Sequence, residues 1–418
     1  MHWHDLRREP YRLLFPLGIV FGCLGVSQWL WYAFGWLPAS KFYHTSMQLG
    51  AYLVCMIAGF LMTALPRMAH AAPASSAELG ALLGLLGAQV ALLGLGRTAA
   101  AQACFAGLLL VLLAFAGRRF VGRRSPIGAP VEFLWVPIGV GFGLVGTTLA
   151  VLSQRGLMAP TWINAARPLA QQGFVLAVVL GVGGFLGPRL MGRGFEVVGS
   201  TSLVGTDVRR QRRRRMAWYL VAAAALVVSF LLEGLGHTRL AYFVRAAVVT
   251  AELLWTTKLH QPPRVRDLYV WLLWVSLWMT ALGYWAVSIW PRYRVGLLHL
   301  TLMGGFSLMV FAVGTMVVLS HAGEADALRK PLWVLKVAAI GVIGATAMRI
   351  LADLWPSGYF PSLAIAALLW LTAAISWLLF IGPRMLRTAP PHTFERLHEQ
   401  AKQQLLREVR NESTTYCS

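Results

Sequence analysis

The chain has 418 residues, of which 57% are hydrophobic and only 13% are charged, and its mean hydropathy is +0.62. This composition excludes an ordinary soluble domain and indicates an integral membrane protein with many spans. The net charge of +21 would suggest nucleic-acid binding in a soluble protein. Here the Lys and Arg residues lie between apolar runs, where they orient helices and meet anionic lipid. We therefore expect membrane lipid as a partner and no nucleic acid.

Twelve apolar runs are long enough to cross a bilayer as helices. In chain order they cover approximately residues 12–34, 46–64, 77–95, 99–116, 130–152, 169–187, 216–234, 239–258, 267–289, 294–319, 332–354 and 360–381. The predicted fold class is all-α, a polytopic transmembrane helix bundle with about twelve spans. An even number of spans places both termini on the same side of the membrane.

The distribution of positive charge predicts the orientation. With the N-terminus in the cytoplasm, 27 of the 37 Lys and Arg residues fall in inner segments and 7 fall in outer loops. Cytoplasmic loops of membrane proteins carry an excess of positive charge. Both termini are therefore predicted to be cytoplasmic.

The domain organisation follows from a basic central loop and a polar tail. We predict a twelve-helix transmembrane domain over residues 1–384, which the basic loop of residues 188–215 divides into two groups of six helices. No sequence repeat relates these two groups. In the tail, residues 385–418, apolar positions recur at steps of three and four with charges between them, which is typical of an amphipathic helix on the cytoplasmic face.

Charged residues inside the apolar runs are the first candidates for function. Arg349 and Asp353 are four residues apart in the eleventh run, and Arg245 and Glu252 are two turns apart in the eighth. Each pair can lie on one helix face and neutralise itself or a partner. Such groups bind cofactor propionates or carry protons in some proteins, and they are plain structural ties in others.

Histidines at the ends of apolar runs are the second set of candidates. On the predicted topology, His44 and His299 enter the membrane from the outer side, whereas His321 lies at the cytoplasmic side. Because a helix from His299 to His321 is roughly 33 Å long, these two residues cannot bind the same metal ion. Neutral imidazole is a common ligand of haem iron and of copper. The alternative is that these histidines only meet lipid headgroups, which for His321 would act together with the carbonyl-rich end of its helix.

Four short segments carry a family pattern. They are PYRLLFPLG at residues 10–18, Tyr43–His44 followed by IAGFLMTALP at residues 57–66, the run from His299 to HAG at residues 321–323, and AMRILADL at residues 347–354. In their order and spacing these segments resemble the NnrS family of haem- and copper-containing bacterial membrane proteins. The resemblance covers essentially the whole twelve-helix plan.

The resemblance implies cofactors, a role and a location. The cofactors are haem, of the b type, and copper; the role is in the response to nitric oxide and nitrosative stress or in denitrification-linked redox chemistry. The location is the bacterial cytoplasmic (inner) membrane, with a respiratory redox partner. On family-like positions lie His44, His299 and Arg349 as cofactor-binding residues and His321 as a further metal ligand. Whether the protein is an enzyme with a haem-dependent, nitric oxide-linked activity stays open at this stage.

The sequence also departs from the family pattern. Ser46, Trp255 and Trp274 stand where family members carry histidines, which leaves the extent of cofactor loading open. Two other classes of function are therefore also compatible with the sequence. Twelve helices with intramembrane charges also suit a transporter, and Trp-rich helix faces suit an assembly partner of a respiratory complex, neither of which needs a cofactor.

The predicted orientation is testable with reporter fusions after residues 165 and 205. We expect a periplasm-active reporter to work only at residue 165 and a cytoplasm-active reporter only at residue 205, because the sixth run separates the two points. Finding both points on one side of the membrane would contradict the twelve-helix topology.

Overall fold

The computed structural model describes residues 2–123, 130–193 and 206–387. These residues contain helices and no strand, which confirms the predicted all-α class. The long helices are α1 Tyr11–Ala33, α2 Lys41–Ala69, α3 Ser76–Gly94, α4 Thr98–Val121, α5 Val131–Gln154, α6 Pro160–Leu190, α7 Thr206–Gly234, α8 Thr238–Thr256, α9 Leu268–Ile289, α10 Pro291–His321, α11 Trp333–Leu354 and α12 Pro356–Met385. A short helix, Trp3–Arg8, precedes them. The predicted amphipathic helix of the tail lies outside the described residues.

Eleven of these helices are long and apolar enough to span a membrane. The exception is α8, whose 19 residues include Arg239, Arg245 and Glu252. This helix nevertheless packs against both α7 and α9. We therefore treat it as the twelfth span, as its apolar run predicts.

The helices form three units of four, which are α1–α4, α5–α8 and α9–α12. In each unit the third and fourth helices pack together. The first helix of each unit packs against the last helix of the unit before it, so that α5 lies on α4, α9 lies on α8, and α1 lies on α12. The last of these contacts closes a ring. The division into two groups of six at residues 188–215 stays a prediction, because residues 194–205 are not described. The contacts between the helices group them into units of four.

The second helix of each unit forms the interior of the bundle. In the apolar windows of α2, α6 and α10, 83%, 72% and 67% of the residues are buried, compared with 33% to 56% in the other candidate spans. Each of these three helices contains a π-helical segment near the end that the charge distribution predicts to be the outer one, at Ser46–Tyr52, Leu169–Gly173 and Leu300–Ser307. Such segments are rare and are frequent at functional sites. The repeat therefore places one π segment near the same end of each of the three interior helices.

Each π segment lies against a glycine of the preceding helix. The facing residues are Gly25 and Met47 in the first unit, Gly146 and Ala170 in the second, and Gly283 and Thr301 in the third. A Cβ atom at Gly146 would lie 2.5 Å from the backbone nitrogen of Ala170, closer than real Cβ atoms approach. Small residues of this kind let neighbouring membrane helices approach closely. They fix where the first two helices of each unit meet.

A short sequence repeat marks the same architecture. Residues 94–98 read GLGRT and residues 234–238 read GLGHT, between the third and fourth helices of the first and second units. Gly96 and Gly236 have φ angles of 69° and 88°, a left-handed conformation that favours glycine at the end of a helix. The amides that follow donate to equivalent carbonyl groups, Arg97 to Leu92 at 2.8 Å and His237 to Leu232 at 2.9 Å. The two groups of six helices do not correspond to each other in sequence, because the repeating unit has four helices and not six.

The packing predicts a contrast between two glycines of α5. Gly146→Ala should lower the thermal stability of the detergent-solubilised protein by about 1–3 kcal/mol, since its new methyl group overlaps the backbone of α6. Gly141 has no atom within 4 Å of its Cβ position, so Gly141→Ala should change stability by no more than about 1 kcal/mol. Equal effects of the two substitutions would contradict the close approach of α5 and α6.

Candidate functional site

His44 lies half-buried in the first turn of α2, two residues before the first π segment. Its Nδ1 atom is 2.8 Å from the carbonyl oxygen of Gly25 and 3.2 Å from Nε1 of Trp29. One nitrogen cannot both donate and accept, and the shorter contact indicates that Nδ1–H donates to Gly25. In that tautomer the Nε2 lone pair is free, and Nε2 makes no hydrogen bond to a described residue. This is the arrangement of a metal-binding imidazole.

His299 has the same arrangement in the third unit. It is half-buried and directly precedes the π segment of α10. Its Nδ1 atom lies 2.6 Å from the carbonyl oxygen of Val295, one turn earlier in the same helix. Donation to that carbonyl group leaves Nε2 as the ring nitrogen with a free lone pair. Within the described chain, this nitrogen also has no hydrogen-bond partner.

The two histidines belong to one region at the outer end of the bundle. His299 interacts electrostatically with both His44 and Arg349. The guanidinium group of Arg349 forms an ion pair of 2.7 Å with Asp353, as the spacing of four residues predicts. The other oxygen of Asp353 accepts the backbone N–H of Gly296 at 2.7 Å. The outer end of α11 is thereby fixed to the turn that carries His299.

His321 lies at the opposite end of α10 and does not join this region. Its Nε2 atom is 2.7 Å from Nη1 of Arg67, and its Nδ1 atom is 3.4 Å from a carboxylate oxygen of Glu9. The ring also meets the edge of Tyr11, with 5.1 Å between centroids. Protein groups thus occupy both ring nitrogens, in place of the lipid headgroups that the sequence suggested.

Arg245 pairs with Glu233 and not with Glu252. It is fully buried, and its Nη2 atom lies 2.9 Å from Glu233. Further contacts join Arg245 to Gln172 of α6 at 3.3 Å and Glu233 to Arg294 of α10 at 3.0 Å. This network connects α6, α7, α8 and α10 at the outer side. A structural role for Arg245 follows directly from these contacts.

The tryptophans at family-histidine positions lie far along their helices from the outer region. Trp255 is in the last turn of α8, is 47% exposed and stacks on Trp218 with 5.7 Å between centroids. Trp274 donates to the carbonyl group of Leu259 in the α8–α9 loop at 2.9 Å. Both side chains therefore belong to the end of the bundle that is predicted to be cytoplasmic, whereas Ser46 is buried two residues after His44.

A small cavity with several polar lining residues adjoins the first two π segments. Its volume is about 20 Å³, and its polar lining residues are Ser46, Gln89, Gln102, Thr147, Arg167 and Gln171. Nε of Arg167 and Oε1 of Gln89 are buried without a hydrogen-bond partner. A bound water molecule in a cavity of this size would give the donor of Arg167 and the acceptor of Gln89 a hydrogen-bond partner.

Some residues that shape the site carried little sequence signal. Gly25 supplies the carbonyl group that orients His44, and Gly296 leaves space for Asp353, whose Oδ2 atom would be 2.7 Å from a Cβ atom there. The helical spacing of Gly18, Gly22 and Gly25 was the available signal for the first of these. Nothing in the sequence alone pairs Gly296 with a residue 57 positions later.

The fold and the site define a class of protein: a polytopic helical membrane protein with two oriented, half-buried histidines at one end of the bundle, the end predicted to be outer. The family model described as "NnrS protein" matches residues 5–388. The chain therefore belongs to the NnrS family. No curated protein matches the sequence. Among the described residues, no three His, Cys, Asp or Glu side chains form a group that could hold a metal ion.

The contacts of Glu9 predict a dependence of stability on pH. Burial alone raises the pKa of Glu9, but the hydrogen bond with His321 and the charges of His321, Arg12 and Arg67 outweigh it and lower the pKa from 4.5 to about 2. A lowered pKa in the folded state stabilises the protein above the ordinary pKa, and the contribution disappears as the pH falls from about 5 towards 2.

We therefore expect Glu9→Gln to lower the melting temperature at pH 7 and to have a much smaller effect at pH 3. Thermal unfolding in detergent at both pH values measures this difference. Asp326→Asn is the control, because the side chain of Asp326 is 95% exposed and an exposed pair of this kind contributes little. An effect of Glu9→Gln that is equally large at both pH values would contradict the assignment.

Proposed function

We propose that this protein is an integral membrane haem protein of the NnrS type, with His44 and His299 as the ligands of the haem iron. The observation that carries the proposal is that both imidazoles have the same hydrogen-bonding pattern, which leaves Nε2 of each ring available. In each, Nδ1–H is directed at a backbone carbonyl group, at 2.8 Å for His44 and 2.6 Å for His299. A carbonyl acceptor on Nδ1 orients the ring and makes Nε2 a better ligand.

The donor set suits haem. Two neutral imidazoles on interior helices are donors that would hold haem iron, either together at one centre or singly at two. Arg349 lies within electrostatic range of both rings, and a guanidinium group is suited to bind a carboxylate such as a propionate. Its ion pair with Asp353 fixes its position. Copper stays a prediction from the family resemblance, because no third donor side chain accompanies the two histidines in the described chain.

The proposed role is in the response to nitric oxide and nitrosative stress or in denitrification-linked redox chemistry, in the bacterial inner membrane. When bound, haem supplies one-electron chemistry and an iron atom that binds nitric oxide. His44 and His299 would hold the iron, and the backbone carbonyl groups of Gly25 and Val295 would orient them. The outer location of both histidines favours a redox partner at the periplasmic side.

The test is the haem spectrum of the purified protein, expressed with an adequate haem supply. We expect the wild-type protein to show a Soret band and a b-type pyridine haemochrome. His44→Ala and His299→Ala should each remove most of this absorbance or convert the iron to a high-spin form, because each substitution removes a ligand.

Two other histidines are matched controls. His237→Ala changes an exposed histidine at the outer side, and His321→Gln changes one at the cytoplasmic end of α10; both variants should keep the wild-type spectrum. A wild-type protein without haem would overturn the proposal and favour a transporter or an assembly partner. Loss of haem in His321→Gln alone would move the site to the other side of the membrane.

A further inference from the structure

Glu252 is a buried carboxyl group that has no ion pair with any described residue. It is 0% exposed in α8, near the cytoplasmic end of the bundle. One oxygen accepts the indole N–H of Trp218 at 2.7 Å, and the other is buried without a hydrogen-bond partner. Two other buried carboxyl groups differ in this respect, since Glu78 pairs with Arg119 and Glu233 pairs with Arg245.

A lone carboxylate in a membrane interior is costly, because its charge is neither hydrated nor balanced. A protonated carboxyl group avoids this cost. In this form the carbonyl oxygen accepts the hydrogen bond of Trp218, and the other oxygen carries the proton. The indole N–H of Trp135 faces the same carboxyl group from beyond ordinary hydrogen-bond distance.

Polar groups connect this position with the cytoplasmic side. Tyr219, one turn further into α7 than Arg215, is 2% exposed and interacts electrostatically with Glu252 and with Glu132. Glu132 is in the first turn of α5 and forms an ion pair of 3.2 Å with Arg215, in which both side chains are partly exposed. The charged groups that face Glu252 are thus Glu132 and Arg215. Arg189 of α6 acts on Glu132.

The fold brings these groups together within one unit. A Cβ atom at Gly184 of α6 would lie 3.6 Å from the side chain of Glu132 and 3.5 Å from the hydroxyl group of Thr256. Thr256 in turn donates to the backbone carbonyl group of Glu252 at 2.7 Å. Glu132 therefore lies near Glu252, with which it interacts electrostatically. This cluster is separate from the outer histidines and from the network of Arg245.

We propose that Glu252 is a proton-carrying carboxylic acid that exchanges its proton with cytoplasmic water along Tyr219 and Glu132. In the resting protein the proton is on Glu252. On release, the O–H bond of Glu252 breaks, a proton passes to cytoplasmic water, and the carboxylate that forms faces the charge of Arg215. Uptake reverses these steps. The inference concerns the end of the bundle opposite to the histidines and does not depend on haem binding.

Infrared spectroscopy of the full-length protein in lipid nanodiscs tests the proposal. At pH 7 the wild-type protein should show the carbonyl stretch of a protonated carboxylic acid, which shifts in D₂O. Glu252→Gln should remove this band and preserve thermal stability, because Gln is close in shape to a neutral Glu. Glu252→Asp should retain a band at a shifted frequency.

Glu78→Gln is the matched control, since it changes a buried carboxylate that Arg119 neutralises. This variant should keep the carbonyl band and lose thermal stability. A wild-type band that survives Glu252→Gln, or the absence of any such band, would overturn the proposal.

The exchange route has its own measurement. Tyr219→Phe removes the hydroxyl group and should slow the deuterium shift of the band at least about tenfold. Phe230→Leu is a control for packing, because Phe230 is fully buried in the same helix and nearer to the outer side. An unchanged exchange rate in Tyr219→Phe would eliminate the route along α7.

Discussion

A helix inside a bilayer must satisfy its backbone polar groups internally, and the three interior helices do this while each contains a π segment. The widened turn is accommodated because the preceding helix presents a glycine at the same level. Gly25, Gly146 and Gly283 hold these positions in the three units. In the first unit the same glycine also exposes its carbonyl group, which receives Nδ1–H of His44. The packing of the bundle and the orientation of one candidate ligand thus depend on one contact.

The three units carry different side chains at corresponding positions before their π segments. His44 and Arg167 each lie two residues before their π segment, and His299 lies directly before its own. Two units therefore present imidazoles near this end of the bundle, while the second presents a guanidinium group beside a small cavity. Repeated units with divergent residues can thus place groups of different chemistry side by side in one bundle. This proximity is relevant to any chemistry that moves charge at the outer end.

Most buried charged residues of the described chain form ion pairs, and Glu252 is the exception. Glu233 with Arg245, Glu78 with Arg119, and Asp353 with Arg349 are ion pairs that join helices or stabilise a helix end. Each pair keeps its charge because the partner replaces the lost hydration. Glu252 lacks such a partner among the described residues, and its surroundings are indole and phenol groups. Its environment is that of a group that changes protonation, at the membrane side opposite to the histidines.

The sequence by itself determined the twelve helices, the all-α class and the local pair of Arg349 with Asp353, because hydropathy and a spacing of four residues act within one helix. It also singled out His44 and His299, although their ligand role stays a proposal. Only the tertiary structure decided that Arg245 pairs with Glu233, since residues two turns apart, such as Arg245 and Glu252, are too distant for a direct contact. The three units of four, the π segments and the partners of His321 likewise depend on contacts between helices distant in the chain. Local patterns do not encode such contacts, because each depends on which faces of several helices meet.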